Sequence, residues 1–346
     1  MTLLLQDAEK AQSLLRSASC LSCLCHRNPD GDAIGSLLGM GLLLEQQFPE
    51  KEILLHCYDP APPPFRFLPG ALRVTSLLGL PKGKNGRWDP DRDAFIFLDS
   101  AEPKLTEFHE SHPELFNGTF RSLNLDHHST NINFASLNIV MPDASSTCEV
   151  IVKLADALRW KLTPDIATCL LTGVYTDTGG LLHSNTTADV YRTIAELLRC
   201  GARRQEIVTN VFRSAKLSTL RLWGRVLEKI SVTDEGGAVS AVTEGDFRAT
   251  GADYSELTGA IDFVNAVPGV RFSMVLSERN GKVKGSLRTL RNDVDVSAMA
   301  GAFKGGGHKK AAGFSLSGKL KPEIRWKVVE NGNGNGKKIQ STPAAE

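Results

Sequence analysis

The sequence predicts an α/β protein whose first domain is a doubly wound, mainly parallel sheet and whose second, smaller α/β domain carries a mixed sheet. Three observations predict it. In the first half, compact apolar runs stop abruptly at polar residues and are followed by segments of helical spacing, the pattern of a βαβ unit. Later, short apolar runs are joined by glycine turns at Glu235-Gly236-Gly237 and Arg279-Asn280-Gly281, the pattern of hairpins. From Val328 on, Asn-Gly repeats and lysine are too polar to bury a core. The expected boundaries are 1–195 for the first domain, 196–230 for a helical linker, 231–322 for the second domain and 323–346 for a disordered tail.

Leu5 to Ala18 has helical spacing, and Cys20 to Cys25 is the first compact strand. That strand stops at His26, where the chain enters His26-Arg27-Asn28-Pro29-Asp30-Gly31-Asp32-Ala33-Ile34-Gly35-Ser36 ahead of a helical run, Leu37 to Gln47. Helix capping accounts for Asp30 or Asp32 taken singly, but not for His26, Asp30 and Asp32 together. A single residue between the two acids lets them diverge toward two neighbouring cations. A second strand, Ile53 to Cys57, leads into a proline-rich loop, Pro60 to Pro69. The strand Ala94 to Leu98 ends at Asp99, and the run Leu123-Asn124-Leu125 ends at Asp126-His127-His128, so twice a carboxylate closes a hydrophobic strand. His109 and His112, at helical spacing among glutamates, read as a solvated face.

Helices are expected over Ser146 to Leu158 and Pro164 to Thr172, the second running into Asp177 beside Gly179-Gly180. Asn185-Thr186-Thr187 reads as the cap of a helix over Ala188 to Cys200, and Ala202 to Ile230 as helical throughout. Beyond the linker come a helix over Tyr254 to Ala266, a helix over Val294 to Phe303, the loop Lys304 to Lys310 and a strand over Gly313 to Leu316.

With 346 residues, 41% apolar and 23% charged, the chain has the composition of a soluble globular protein with room for two domains. Seven cysteines without framework spacing argue for a reducing compartment, and Cys20, Cys23 and Cys25 lie in an apolar run better suited to a strand than to a zinc clasp. The leucines near the N-terminus are broken by Asp7 and Glu9, and no apolar run reaches the roughly 18 residues of a membrane span, so a cytoplasmic protein is expected. The net charge of +1 hides an asymmetry: nine Lys or Arg against two Asp between Gly281 and Lys321. That is a local anion-binding region, not a surface for long nucleic acid.

Collected, the strand ends and first loop supply His26, Asp30, Asp32, Asp99, His127, His128 and Asp177. Four carboxylates and two or three imidazoles without a thiolate suit two divalent cations such as Mn²⁺, Mg²⁺ or Co²⁺ better than structural zinc. Two such cations, roughly 3.5 to 4 Å apart, activate a water and neutralise a phosphoryl group during in-line attack, so phosphate-ester hydrolysis is the natural chemistry.

The chain resembles the DHH-family phosphoesterases of the stand-alone oligoribonuclease and pAp phosphatase type. The resemblance rests on His26-x-x-Pro29-Asp30-x-Asp32-x-x-Gly35-Ser36, Asp99, Asp126-His127-His128 and Asp177-Thr178-Gly179 in that order. Ser286-Leu287-Arg288, Val294-Asp295-Val296-Ser297 and Gly305-Gly306-Gly307-His308-x-x-Ala311-Ala312-Gly313 resemble the family's associated substrate-binding domain. It covers roughly residues 5 to 320, and joint occurrence of the motifs makes chance an inadequate explanation.

By this resemblance, His26 and Asp30 hold one metal and Asp32, His127 and Asp177 the other, both Mn²⁺ with Mg²⁺ or Co²⁺ as alternatives, and Asp99 bridges both. His128 contacts the scissile phosphate or assists as acid, and Asp126 orients an imidazole from behind. Arg288 and His308, with the amides of Gly305, Gly306 and Gly307, grip the nucleotide. The implied substrates are short oligonucleotides and 3'-phosphoadenosine 5'-phosphate, with no long duplex nucleic acid and no membrane, and homodimerisation stays open. Two departures stand out: Lys304 occupies the first of four positions that are commonly glycine, and Thr289 replaces a frequent serine. A cyclic-di-AMP or pApA phosphodiesterase is the nearest alternative. A family-II inorganic pyrophosphatase shares the metal motifs but not the glycine-histidine loop, and a non-catalytic nucleotide sensor would not need every motif residue.

Overall fold

A computed structural model describes residues 2–76 and 88–321, and the expected tail over 323–346 lies outside the described residues. The chain forms two compact units, Met1–Ser214 and Ala215–Glu346. Among the described residues, no helix is long and apolar enough to cross a membrane.

The first unit contains α1 (Thr2–Ser17), β1 (Cys20–Leu24), α2 (Gly31–Gln47), β2 (Glu52–His56), β3 (Asp93–Leu98), β4 (Arg121–Asp126), β5 (Leu137–Val140), α3 (Thr147–Ala157), α4 (Pro164–Asp177), α5 (Ala188–Arg199) and the short α6 (Arg204–Ile207). Its five strands are all parallel, in the order β2-β1-β3-β4-β5. Every residue of β1 and β3 is buried, as expected of parallel strands covered on both faces. Side-chain alternation divides the cover. Ala94, Ile96 and Leu98 join the helical core, whereas Phe95 and Phe97 join Phe108, Leu115 and Phe120 in a second cluster, closed by 3₁₀ turns at Pro103–Thr106 and Pro113–Leu115. The strand order reverses between β1 and β3, which opens a crevice at their carboxyl ends.

α2 and α4 approach closely because glycines stand at the contact. A Cβ on Gly35 would lie 2.6 Å from the carbonyl oxygen of Cys169, and one on Gly173 would lie 2.3 Å from Cys148 Sγ and 2.5 Å from Asp32 Oδ1. This contact also explains why α4 runs on to Asp177 instead of ending near Thr172: Gly173 serves helix packing, not a break.

Other expectations are corrected. His109 and His112 lie in turns rather than on a helix face, and the ring of His112 meets Trp88 edge-on at 5.1 Å. β5, with its half-buried pattern, is a strand that the hydrophobic pattern did not disclose. The segment after Ala202 is not continuously helical. A π-helical turn at Val208–Phe212 and non-helical residues at 214–216 precede α7 (Leu217–Glu228).

The second unit continues with β6 (Ser231–Val232), β7 (Gly237–Val242), α8 (Glu244–Thr250), a 3₁₀ turn at Tyr254–Leu257, α9 (Ala260–Asn265), β8 (Phe272–Arg279), β9 (Lys282–Arg288), α10 (Val296–Gly301), β10 (Gly306–His308) and β11 (Ala311–Ser317). Gly259, with φ +91, breaks the helix expected over Tyr254 to Ala266 into that 3₁₀ turn and α9. The mixed sheet runs β10-β11-β9-β8-β7-β6, parallel only between β7 and β8. Ala238, Val242 and Val275 pack with Leu222, Val226, Phe247 and Ile261 on one face, while Leu287, Ala312 and Phe314 pack with Val296 and Ala300 of α10 on the other.

Two glycines give opposite expectations. Gly35→Ala drives a methyl into backbone and should destabilise the chain by about 1–3 kcal/mol. Gly224→Ala, in mid-α7 with nothing within 4 Å of the new methyl, should stabilise it by about 0.5–1 kcal/mol through helix propensity. Denaturant midpoints of the two variants check the sign of each.

Candidate metal centre

The crevice collects side chains from five elements, β1, α2, β3, β4 and α4. His26 follows β1 by two residues, Asp99 follows β3 directly, Asp126 ends β4 with His127 and His128 beyond it, and Asp177 ends α4. Asp30 is the N-cap of α2; its Oδ1 accepts the amides of Asp32 and Ala33, each at 3.0 Å. Asp99 adopts left-handed backbone, φ +55, at a cost of about 1–2 kcal/mol. Such strain at a strand end is a mark of a functional position.

Among the described residues, three sets of metal-ligating atoms come together, each within 4.8 Å: His26, Asp30 and Asp99; Asp32, His127 and Asp177; and Asp99, Asp126, His127 and His128. Asp30 and Asp32 thus diverge into different sets. Between the sets stands Asp99, with Oδ2 at 3.5 Å from His26 Nε2 and Oδ1 at 3.7 Å from both His127 Nε2 and His128 Nδ1. His127 Nε2 is also 3.4 Å from Asp177 Oδ2 and 4.0 Å from Asp32 Oδ2.

The remaining ring nitrogens are spoken for by the scaffold. His26 Nδ1 lies 2.7 Å from the carbonyl of Arg27, and His127 Nδ1 lies 3.4 Å from that of Ala144. Donation from each Nδ1–H leaves Nε2 as the lone pair that faces the carboxylates, the tautomer a metal ligand requires. His128 Nδ1 lies 2.8 Å from Asp126 Oδ1, which also accepts the amide of His127 at 2.8 Å.

Supports that sequence reading missed hold the acids in place. Asp32 is buried and accepts the amides of Thr147 at 2.6 Å and Cys148 at 3.0 Å, the first residues of α3, whose helix end favours negative charge. Thr147 Oγ1 donates to Asp99 Oδ1 at 3.0 Å. Asn131 Nδ2 donates to Asp126 Oδ2 at 2.6 Å and to Asn124 Oδ1 at 2.7 Å. Of the three residues read as a cap, Thr187 caps α5, whereas Asn185 Nδ2 donates to the carbonyls of Ser145 and Asp177. The only sequence signal for these supports was Ser146-x-x-Glu149 at the start of α3, a capping pattern that said nothing of Asp32.

The crowding of the carboxylates sets their electrostatics. Burial and the charges of Asp99 and Asp30 push Asp32 well above the usual carboxylate range, and burial with Asp32 and Asp99 does the same to Asp177. Asp99 itself is pushed up by burial but held well below that range by the hydrogen bond and charge of His26 and by the charges of His127 and His128. Burial lowers His26 and His128, yet Asp99 lifts the first to about 10 and Asp126 the second to about 9. Crowded carboxylates repel, and bound divalent cations are the counter-charge that lets all of them ionise together. Oxygen and imidazole donors fit hard-to-borderline divalent ions, and the nearby thiols of Cys25 and Cys148 are buried and raised in pKa.

The residues expected to bind substrate lie in the second unit. Arg288 ends β9 opposite Ala311 of β11 and Ser273 of β8. Gly306 and Gly307 pair with Gly313 and Ala312, and a Cβ on Gly305 would lie 2.2 Å from the carbonyl oxygen of Gly313. Lys304 has φ +56, the conformation that a glycine there would take without penalty. His308 contributes backbone to β10, and its side chain lies outside the described residues.

Residues 22–174 match the DHH family, N-terminal domain, and residues 235–331 match the DHHA1 domain. The chain is 34% identical to the bifunctional oligoribonuclease and PAP phosphatase NrnA of Thermus thermophilus, over 85% of this chain and 83% of that one. It is 24% identical to the protein of the same name from Bacillus subtilis, over 84% and 87%. Among solved structures, an exopolyphosphatase-related protein from Bacteroides fragilis superposes with a TM-score of 0.83 at 26% identity, over 91% of this chain and 92% of that one.

Asn131→Ala should leave the fully buried Asp126 with an unsatisfied oxygen, costing about 1–3 kcal/mol. Thermal unfolding checks the stability loss.

Proposed function

The chain belongs to the DHH family of metal-dependent phosphoesterases, and from that premise we propose that it hydrolyses short oligonucleotides to mononucleotides and 3'-phosphoadenosine 5'-phosphate to AMP. The observation that carries the reading is Asp99, shared between a His26–Asp30 set and an Asp32–His127–Asp177 set. This arrangement supports a two-metal phosphoesterase in which Asp99 would be the ligand shared by both cations. Bound there, two divalent cations, Mn²⁺ first among Mn²⁺, Mg²⁺ and Co²⁺, would supply an activated water and neutralise the phosphoryl oxygens.

The chain's own groups do the rest. His26 and Asp30 would hold one cation, and Asp32, His127 and Asp177 the other. His128, oriented through Nδ1 by Asp126, contacts the scissile phosphate and serves the leaving oxygen as acid. Arg288, His308 and the amides of Gly305 to Gly307 hold the nucleotide, with charge where the sequence concentrates it. Reduced, unpaired cysteines accord with action in the cytoplasm.

Asp99→Ala should abolish turnover and lower metal content together, because the cluster loses its shared ligand. Elemental analysis beside a turnover assay decides; activity within a few-fold of the parent would sink the bridge.

Substrate profiling with Mn²⁺ should find 3'-phosphoadenosine 5'-phosphate, dinucleotides and pentamers among the substrates, with kcat/KM on a pentamer at or above that on a 24-nucleotide strand. Few phosphates can be neutralised at once by so local a basic region. Efficiency that climbs steadily to the longest strand removes the short-substrate reading, and turnover confined to cyclic di-AMP replaces it with a cyclic-dinucleotide phosphodiesterase.

A further inference from the structure

The two sides of β9 carry different chemistry. Val283, Gly285 and Leu287 point to the side that α10 partly covers, where a Cβ on Gly285 would lie 2.3 Å from the ring of Phe314. Lys282, Lys284, Ser286 and Arg288 point to the other side; both lysines are exposed, and Ser286 and Arg288 are half-buried. Their partners on β11 are Ser317, Ser315, Gly313 and Ala311. A row of hydrogen-bond donors, three of the four cationic, therefore runs beside a lane of small side chains. Phe314 belongs to the opposite face, stacked on Phe303 at 4.6 Å, so no aromatic of β9 or β11 interrupts the lane.

The charges of this row are uncompensated. Arg291 is paired with Asp293, and Arg279 lies over the ring of Tyr254, but the side chains of Lys282 and Lys284 have no hydrogen-bond or acidic partner among the described residues. Alternate residues of a strand stand about 6.7 Å apart on one line. That repeat is comparable to the distance between successive phosphates of an extended single strand, so each outward position can meet the next phosphate without a change of direction. A helix would rotate its cations away within a turn.

We propose that Lys284 and Lys282 read substrate length: a single-stranded oligonucleotide lies along β9, with one end at Arg288 and the neighbouring glycine loop and with later phosphates at Ser286, Lys284 and Lys282 in turn. This rests on the phosphoesterase reading above and deepens it. Lys284 is two strand repeats from Arg288 and Lys282 three, so a dinucleotide falls short of both, and a chain of four or five nucleotides engages both. The row ends at the Arg279-Asn280-Gly281 turn, so further nucleotides gain nothing. Length is counted by the number of phosphates in register, not by base identity.

The test compares the parent with Lys284→Gln, Lys282→Gln and Lys284→Arg, all full-length. kcat/KM is measured on a dinucleotide, trimer, pentamer and heptamer of one sequence, and affinity of the metal-stripped chain for a labelled pentamer is measured across salt concentrations. In the parent, efficiency should rise to the pentamer and level off at the heptamer. Lys284→Gln should lower the pentamer-to-dinucleotide ratio about fivefold through KM and reduce the slope of log affinity against log salt by about 0.7, one single-strand phosphate contact. Lys284→Arg should restore both. A ratio and slope unchanged in both glutamine variants overturns the proposal while leaving the phosphoesterase reading intact. Failure of the parent to cleave any of the oligonucleotides overturns that reading itself. The lysines are exposed, and matched melting temperatures confirm that the variants are folded.

Discussion

Four carboxylates confined within a few ångströms of one another repel, and the first unit is built around holding them there. The means are mostly backbone. The first amides of α3 receive Asp32, the amides that open α2 receive Asp30, and the hydroxyl of Thr147 reaches Asp99. Each donor stabilises the ionised form without adding a cation that would compete with a metal. The helix ends are aimed at the acids by the close α2–α4 contact at Gly35 and Gly173. A single methyl there would force the elements that carry Asp32 and Asp177 apart.

The three imidazoles are anchored in two ways, and the difference supports the roles proposed for them. His26 and His127 are anchored through Nδ1 to backbone carbonyls, which cannot titrate. His128 is anchored to the carboxylate of Asp126, itself clamped by Asn131 and by the amide of His127. A backbone carbonyl fixes the tautomer by accepting Nδ1–H, whereas a carboxylate in that place also favours the protonated ring. That contrast supports the proposed division of two histidines to metal and one to proton delivery.

Within β9 the pleat places packing side chains on one side and, by the reading above, substrate donors on the other. Odd-numbered positions of β9 contribute to packing, and even-numbered positions carry the donors. Strand periodicity thereby supplies a linear, evenly spaced array that a helix of the same composition could not.

The side chains proposed to bind metal, the strands that deliver them and the basic character of the second unit were all legible in the chain. Each is a local matter: an apolar run buried on both faces, followed within one or two residues by the groups it presents. The tertiary structure decided the rest. Asp32 meets its amide donors 115 and 116 residues away, and Asn131, five residues from the Asp126 it clamps, also donates to the carbonyl of Ser100 because β3 and β4 lie side by side. Asp177 looked like the end of a broken helix because a glycine in sequence reads as a break, while in the fold it is the small residue that a helix crossing requires. β5, interrupted by Asn138 and half-buried, becomes a strand because β4 offers it an edge. Local pattern specifies which groups a strand or loop presents. Which groups share a cation depends on contacts between elements far apart in the chain, and no window of sequence contains those contacts.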